Sequence, residues 1–291
     1  MNIRENQMKI QVKGLMLAGA MLLTQQAEAG NWLRDEGEQS LAARASYSTA
    51  TQMWNQNGTL VNFGCGTHTN QTLGVTYDYG LSYHYTLFAD AGLHNVSCGV
   101  NQVSGLGDVG MGIRGRIDQM SNGKAWELKL LVPGGYNANA TPLRLGYGEI
   151  GLEAGVYFGP PFDAYDEDPY KPGYFPQLDS YWEYGAWTRV YTGAPATVVG
   201  GNVKYKHSLT ENWKVGPQLG INWTTGKGQP QVNNLFGNRM AYSRSVKLGV
   251  EFSRLIGERL SFHITPELTL MGENTTKAKA ISIGIHKAFP K

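Results

Sequence analysis

The sequence predicts an all-β protein: a transmembrane, antiparallel, up-and-down β-barrel of about twelve strands. Three observations carry that expectation. First, the last stretch, Lys279 to Phe289, places Ile281, Ile283, Ile285 and Phe289 on one face and Ser282, Gly284 and His286 on the other. A two-residue period with one apolar and one hydrophilic face describes a lipid-facing band over a wet interior, and it recurs along most of the chain. Second, aromatic residues stand at strand ends (Tyr83, Trp126, Trp182, Trp213, Trp223, Phe262), where a barrel meets lipid headgroups. A secreted β-sandwich would also alternate, but it has no use for such girdles. Third, the mean hydropathy of −0.33 is too low for a helical membrane protein and suits a barrel, in which only alternate strand residues face lipid. Gly 38, Tyr 16 and Trp 7 point the same way, and a formal charge of +2 argues neither for nucleic acid nor for a polyanion channel, so no nucleic-acid partner is expected.

The N-terminus reads as a cleaved signal peptide, residues 1–29. Arg4, Lys9 and Lys13 form a basic start, Gly14 to Leu23 an apolar run, and Ala27-Glu28-Ala29 a small-residue cleavage site. The apolar run is too short to span a bilayer. The expected mature domain, 30–291, has ample length for twelve strands, which need about 9 to 11 residues each.

Taken in order, Leu41, Ala43, Ala45 and Tyr47 open the first strand, and Leu73, Val75, Tyr77 and Tyr79 mark the second. Gly80-Leu81-Ser82 is the expected turn into a third through Tyr83, Tyr85, Leu87 and Ala89. The fourth carries Val109, Met111 and Ile113, and Ser121-Asn122-Gly123 is the expected turn into a fifth with Trp126, Leu128, Leu130 and Val132 outward. The sixth carries Ile150, Leu152, Ala154, Val156 and Phe158. Strands resume at 181–191, 198–209, 213–223, 242–254, 260–270 and 278–289. With the last strand ending in the periplasm, short turns fall on the periplasmic side. The exception is 159–180, a Pro/Tyr/Asp-rich segment on that side. It is either a periplasmic insertion or a sign that the strand count is off by one.

A family resemblance enters at Gly105-Leu106-Gly107-Asp108. Together with Trp32 to Gly37, the Tyr79-Gly80-Leu81 turn and its following strand, and Leu130 to Gly135 (LLVPGG), this motif resembles the outer-membrane barrels of the phenol meta-cleavage-pathway type. That resemblance implies the outer-membrane compartment and passage of small hydrophobic or aromatic solutes. Similar barrels accompany exopolysaccharide loci, which implies support of envelope export as the alternative. The segment 159–180 and the two residues after Phe289 depart from the pattern.

Alternation assigns Arg44, Arg114, Arg116, Lys129, Arg189, Lys204, Lys206, Lys214 and Lys247 to the lumen, facing acids that include Asp78, Glu149, Glu153, Glu183, Glu251 and Glu267. The signs nearly balance. Either these groups pair into a network that stiffens or plugs the barrel, or they form a mixed-charge constriction that selects solutes. Lys204, Lys206, Lys214 and Arg189 make the best basic stripe. An enzyme is not expected. Ser121-Asn122-Gly123 resembles part of a lipase-like motif, but Met120 stands where a His would precede it, and His84, His94, His207, His263 and His286 lack metal-ligand spacing. Neither cofactor nor metal is expected. Cys65 and Cys98, the only cysteines, are expected to pair in an oxidising compartment. The expected partners are outer-membrane lipid and, through the strand ending at Phe289, the barrel-assembly machinery.

Overall fold

The computed structural model describes residues 33–118, 121–135, 143, 145–160, 179–193, 197–225, 243–257 and 259–289. The strands are β1 (Gln39–Ala50), β2 (Gln52–Trp54), β3 (Leu60–Asn62), β4 (His68–Ser82), β5 (Tyr85–Cys98), β6 (Asn101–Leu106), β7 (Val109–Asp118) and β8 (Ser121–Val132). They continue as β9 (Gly151–Phe158), β10 (Ser180–Tyr191), β11 (Val198–Thr210), β12 (Trp213–Thr224), β13 (Arg244–Ile256), β14 (Leu260–Glu273), β15 (Thr275–Thr276) and β16 (Lys279–Phe289). Twelve of these, β1, β4, β5, β7 to β14 and β16, follow one another antiparallel, and the β1–β16 and β4–β5 pairings close the ring. Closure satisfies the backbone of every wall strand within the sheet, the condition for spanning lipid with strands.

Side-chain period does the rest. In β16 the residues Ile281, Ile283, Ile285 and Phe289 are exposed, while Ser282 and His286 are buried. The same inversion of a soluble core, apolar outside and polar inside, holds around the ring: Leu128, Leu152, Val190, Leu219 and Leu248 face out, and Glu127, Glu153, Lys204, Lys214 and Glu251 face in. The fold is therefore a transmembrane β-barrel of the outer-membrane type. Its short connections, 83–84, 211–212 and 257–259, define the periplasmic end.

Two expected turns move. Residues 80–82 stay in strand, and the reversal falls at Tyr83-His84, because a one-residue register irregularity at Gly80/Ser82 carries the β4–β5 ladder further. Likewise Ser121 already pairs with Asp118 as the first residue of β8. The twelve-strand count stands, and Phe158 and Ser180 leave and re-enter the wall at the periplasmic end. Most of the intervening segment, 161–178, lies outside the described residues, as do 1–32, 136–142, 226–242 and Pro290-Lys291.

At the external end the barrel is taller than its membrane band. β6 and β7 are one strand broken by a bulge: β5 pairs with β6 up to Leu93↔Leu106 and with β7 from Asp90↔Gly110, so three residues oppose two. The bulge is the GLGD motif. Gly107 donates its N–H to the Gly92 carbonyl (2.8 Å), and Asp108 accepts from the backbone N–H of Tyr147 (2.9 Å). A Cβ on Gly134 would meet the Gly107 carbonyl oxygen at 2.0 Å, so the PGG motif packs directly on the GLGD bulge. This anchors the loop that buries Leu143 and Leu145 against Val96 and Cys98. The Cys65–Cys98 disulfide forms within that cluster, with Phe63 and Val103 around it. Cys98 is the last residue of β5 rather than a loop residue.

A second external device joins the two ends of the chain. β2 and β3, from the β1–β4 connection, make a small sheet with β15, from the β14–β16 connection, through Thr275↔Trp54 and Thr276↔Met53. Asn274 takes a left-handed conformation (φ 46°) and donates its N–H to the Asn55 carbonyl at 3.2 Å.

Reduction of the Cys65–Cys98 bond is expected to raise protease cleavage in the β1–β4 and β5–β6 connections while leaving the barrel resistant to SDS without boiling, because the wall ladders do not depend on it. Thiol labelling of denatured, unreduced protein, which should find no reactive cysteine, checks the bond itself.

Candidate functional site

Among the described residues, buried polar and charged side chains converge in the lumen. At its periplasmic end the chain before β1 turns inward. Glu38 N–H bonds to the Asp35 carbonyl (2.9 Å), and Gly37 and Glu38 exchange backbone hydrogen bonds with Gly80 of β4 at 2.8 Å each. A Cβ at Gly80 would lie 1.8 Å from the Asp35 carbonyl oxygen, so only glycine admits this segment against the wall. The turn delivers Arg34 into the barrel, where 1% of it is exposed. Its backbone N–H donates to Thr86 Oγ1 (2.7 Å), and Nη2 lies 3.3 Å from both Asp78 Oδ2 and His286 Nε2. Burial pushes the Glu38 carboxyl above its ordinary range, against the pull of the nearby Arg34 and of the Asp35 N–H.

Asp78 is the node of this floor. Besides Arg34 it receives Arg114 Nη1 (2.9 Å) and the Ser40 hydroxyl (2.9 Å), and Arg114 passes on to Glu127 through Nε (2.7 Å) with its guanidinium 4.2 Å from the Phe88 ring centre. Three strands and the inserted segment are thus tied through one carboxylate.

The remaining lumen candidates are held in the same manner. Lys129 pairs with Asp90 (2.5 Å), and Arg189 pairs with Glu153 and donates to Tyr191 Oη (3.0 Å). Lys204 and Lys206 converge on Glu251 (3.4 and 2.8 Å), with Glu183 3.9 Å from Lys206. Lys214 sits over the Tyr181 ring (4.9 Å). The lysines of the expected basic stripe are therefore arranged around carboxylates and a ring instead of presenting a uniform positive field. Arg44 donates to Ser282 Oγ (2.6 Å). Arg116 lies at the rim, donating to the Tyr83 carbonyl (2.9 Å) and stacking 3.7 Å above its ring. Glu149 precedes β9 and accepts from the Thr192 hydroxyl at 3.2 Å, outside the strand register that alternation assigned to it.

Large rings fill the lumen by lying on glycines of the wall. A Cβ would strike Phe88 from Gly112, Tyr157 from Gly185, Trp187 from Gly200 and His263 from Gly284, all at 2.1 to 2.6 Å. Gly220 differs: among the described residues no atom stands within 4 Å of the position its Cβ would take. It lies on the lumen face of β12 in one row with Asn202 of β11 and Lys247 of β13. Gln218 and Asn222, its neighbours on the same face, are half-buried, as are Trp187 and Glu267, the latter 3.3 Å from Lys247. The described side chains thus leave the lumen face uncovered at Gly220, in the external half of β12, above a floor of buried ion pairs. Sequence alternation identified the charged members of this site. It missed Arg34 and Gly220, since the first precedes the strands and the second has no side chain; the Gly-x-Asn spacing of Gly220-Ile221-Asn222 was the available signal.

The backbone places Ser121 at the start of β8; its side chain lies outside the described residues. His94 bonds to the Thr72 hydroxyl (3.0 Å) and His286 to Arg34, and among the described residues no cluster of three His, Cys, Asp or Glu side chains is placed to hold a metal ion.

A closed twelve-strand wall around a charged, partly filled lumen defines a transmembrane β-barrel of the outer-membrane type. No protein-family model and no curated protein matches the sequence. Solved structures do. The chain is similar to the COG4313 outer membrane channel from Pseudomonas putida F1 (TM-score 0.68, 13% identity, covering 92% of this chain and all of that one). It is also similar to the translocator domain of the autotransporter NalP from Neisseria meningitidis (TM-score 0.50, 11% identity, covering 98% of each chain). At these identities the likeness is one of fold.

Proposed function

We propose that this protein is an outer-membrane channel for small solutes, and that the solute passes along the β11–β13 wall. The space at Gly220 supports this reading: among the described residues no side chain covers it, whereas Phe88, Tyr157, Trp187 and His263 lie on lumen glycines elsewhere on the wall. The wall there offers amides (Asn202, Gln218, Asn222) and one ion pair beside the half-buried Trp187. Such a surface exchanges hydrogen bonds with a solute as it sheds water, while the indole accommodates an apolar or aromatic body. The chemistry fits small aromatic compounds carrying hydroxyl or carboxyl groups, within the class that the resemblance to phenol-pathway barrels implies. The test is conductance and solute flux of the purified protein in planar bilayers and liposomes. Discrete current steps and faster entry of a phenolic than of an aliphatic hydrocarbon of equal size are expected; silence in both assays would leave a plugged, structural barrel.

A further inference from the structure

We infer that the lipid-facing wall at the periplasmic end of β13, β14 and β16 is a binding site for an anionic glycerophospholipid. The outward positions of a barrel strand are expected to be apolar, and in the periplasmic half of these three strands they are, save at two places. Arg254 of β13 and Lys287 of β16 are exposed on the lipid face, one row apart on either side of β14. Arg254 stands between Trp213 and Phe262 across its two ladders, its guanidinium 5.2 Å from the Trp213 ring centre. Lys287 stands between Leu41 and Leu260, with Nζ 5.2 Å from the Phe289 ring centre. Each cation thus rests its stem on apolar surface and its charge beside an aromatic, the placement of a side chain held at headgroup level. Toward the membrane centre the same face continues as Phe252, Ile264, Ile283 and Ile285, a wall for acyl chains.

Sign is what selects the ligand. Among the described residues, the charged side chains on outward strand positions of the periplasmic half are Lys124, Arg254 and Lys287, all basic. The described carboxylates of that half point into the lumen, or lie in turns and the inserted segment, as Glu211 and Asp35 do. A zwitterionic headgroup gains little from such a belt, whereas an anionic phosphodiester gains from each cation it approaches. The end bearing the short turns faces the periplasm, so the lipid is a phospholipid of the inner leaflet, with phosphatidylglycerol as its probe. This site is independent of the lumen and of whatever passes through it.

The experiment is native mass spectrometry of the mature protein extracted from vesicles of mixed phosphatidylglycerol and phosphatidylcholine. Phosphatidylglycerol should be retained preferentially, with retention falling roughly fivefold for each cation removed in R254Q and R254Q/K287Q. K279Q, at the external end of β16, should leave it unchanged. Because Lys287 lies in the closing strand, folding of each variant is checked by resistance to SDS before boiling, and R254Q alone decides the matter if K287Q does not fold. Equal retention of both lipids, retention unaffected by R254Q, or preference for lipopolysaccharide over phosphatidylglycerol would each overturn the site.

Discussion

Replacing Asp78 by Ala is expected to destabilise the barrel by roughly 3–5 kcal/mol, the cost of stranding a buried charge whose partner is removed. Asp78 is 2% exposed and is the shared partner of Arg34, Arg114 and Ser40. Its loss leaves Arg114 with Glu127 alone and removes the carboxylate that holds Arg34. Urea refolding into liposomes measures the first effect. The second should appear as increased conductance, because the Arg34 side chain loses its carboxylate partner on the floor while the backbone bonds of its segment remain. Arg34→Ala separates the two consequences: the Asp78–Arg114 pair survives, so stability should change far less while conductance still rises. If Arg34→Ala conducts like the wild type, the inserted segment does not restrict passage.

Gly220→Trp is expected to remove most of the conductance with little loss of stability. An indole there enters space that no described residue occupies and projects across the row formed by Asn202 and Lys247. Gly200→Ala supplies the contrast. Its added methyl would lie 2.1 Å from Trp187, so it should cost about 1–3 kcal/mol through overpacking and change conductance only as far as it moves that ring. A Gly220→Trp protein that folds and conducts normally would place the passage on another part of the wall.

Much of this fold was legible because a strand's two faces differ by one residue. Ile281 to Phe289 fixed the lipid face of the last strand, and the same period set all twelve strands of the wall. What escaped was of two kinds. Turn positions such as Tyr83-His84 depend on how far a ladder continues past a register irregularity, which composition does not record. The external strands β2, β3 and β15 are two or three residues long, too short for a period to show. For the lumen, alternation told which residues point inward but not which meet. Lys204 and Lys206 read as a positive stripe, yet Glu251 on β13 comes between them only through the stagger of three strands. The glycine motifs of the family resemblance prove to be steric: Gly107 and Gly134 touch, and neither lines the space at Gly220.

The small sheet of β2, β3 and β15 bridges the seam where the first and last wall strands meet. Its halves come from opposite ends of the chain, and the β1–β16 ladder is what holds those two ends side by side. It is thus a completion mark written on the cell surface: a binder specific for the paired Trp54 and Thr275 edge would count closed barrels and ignore those still waiting for their last strand.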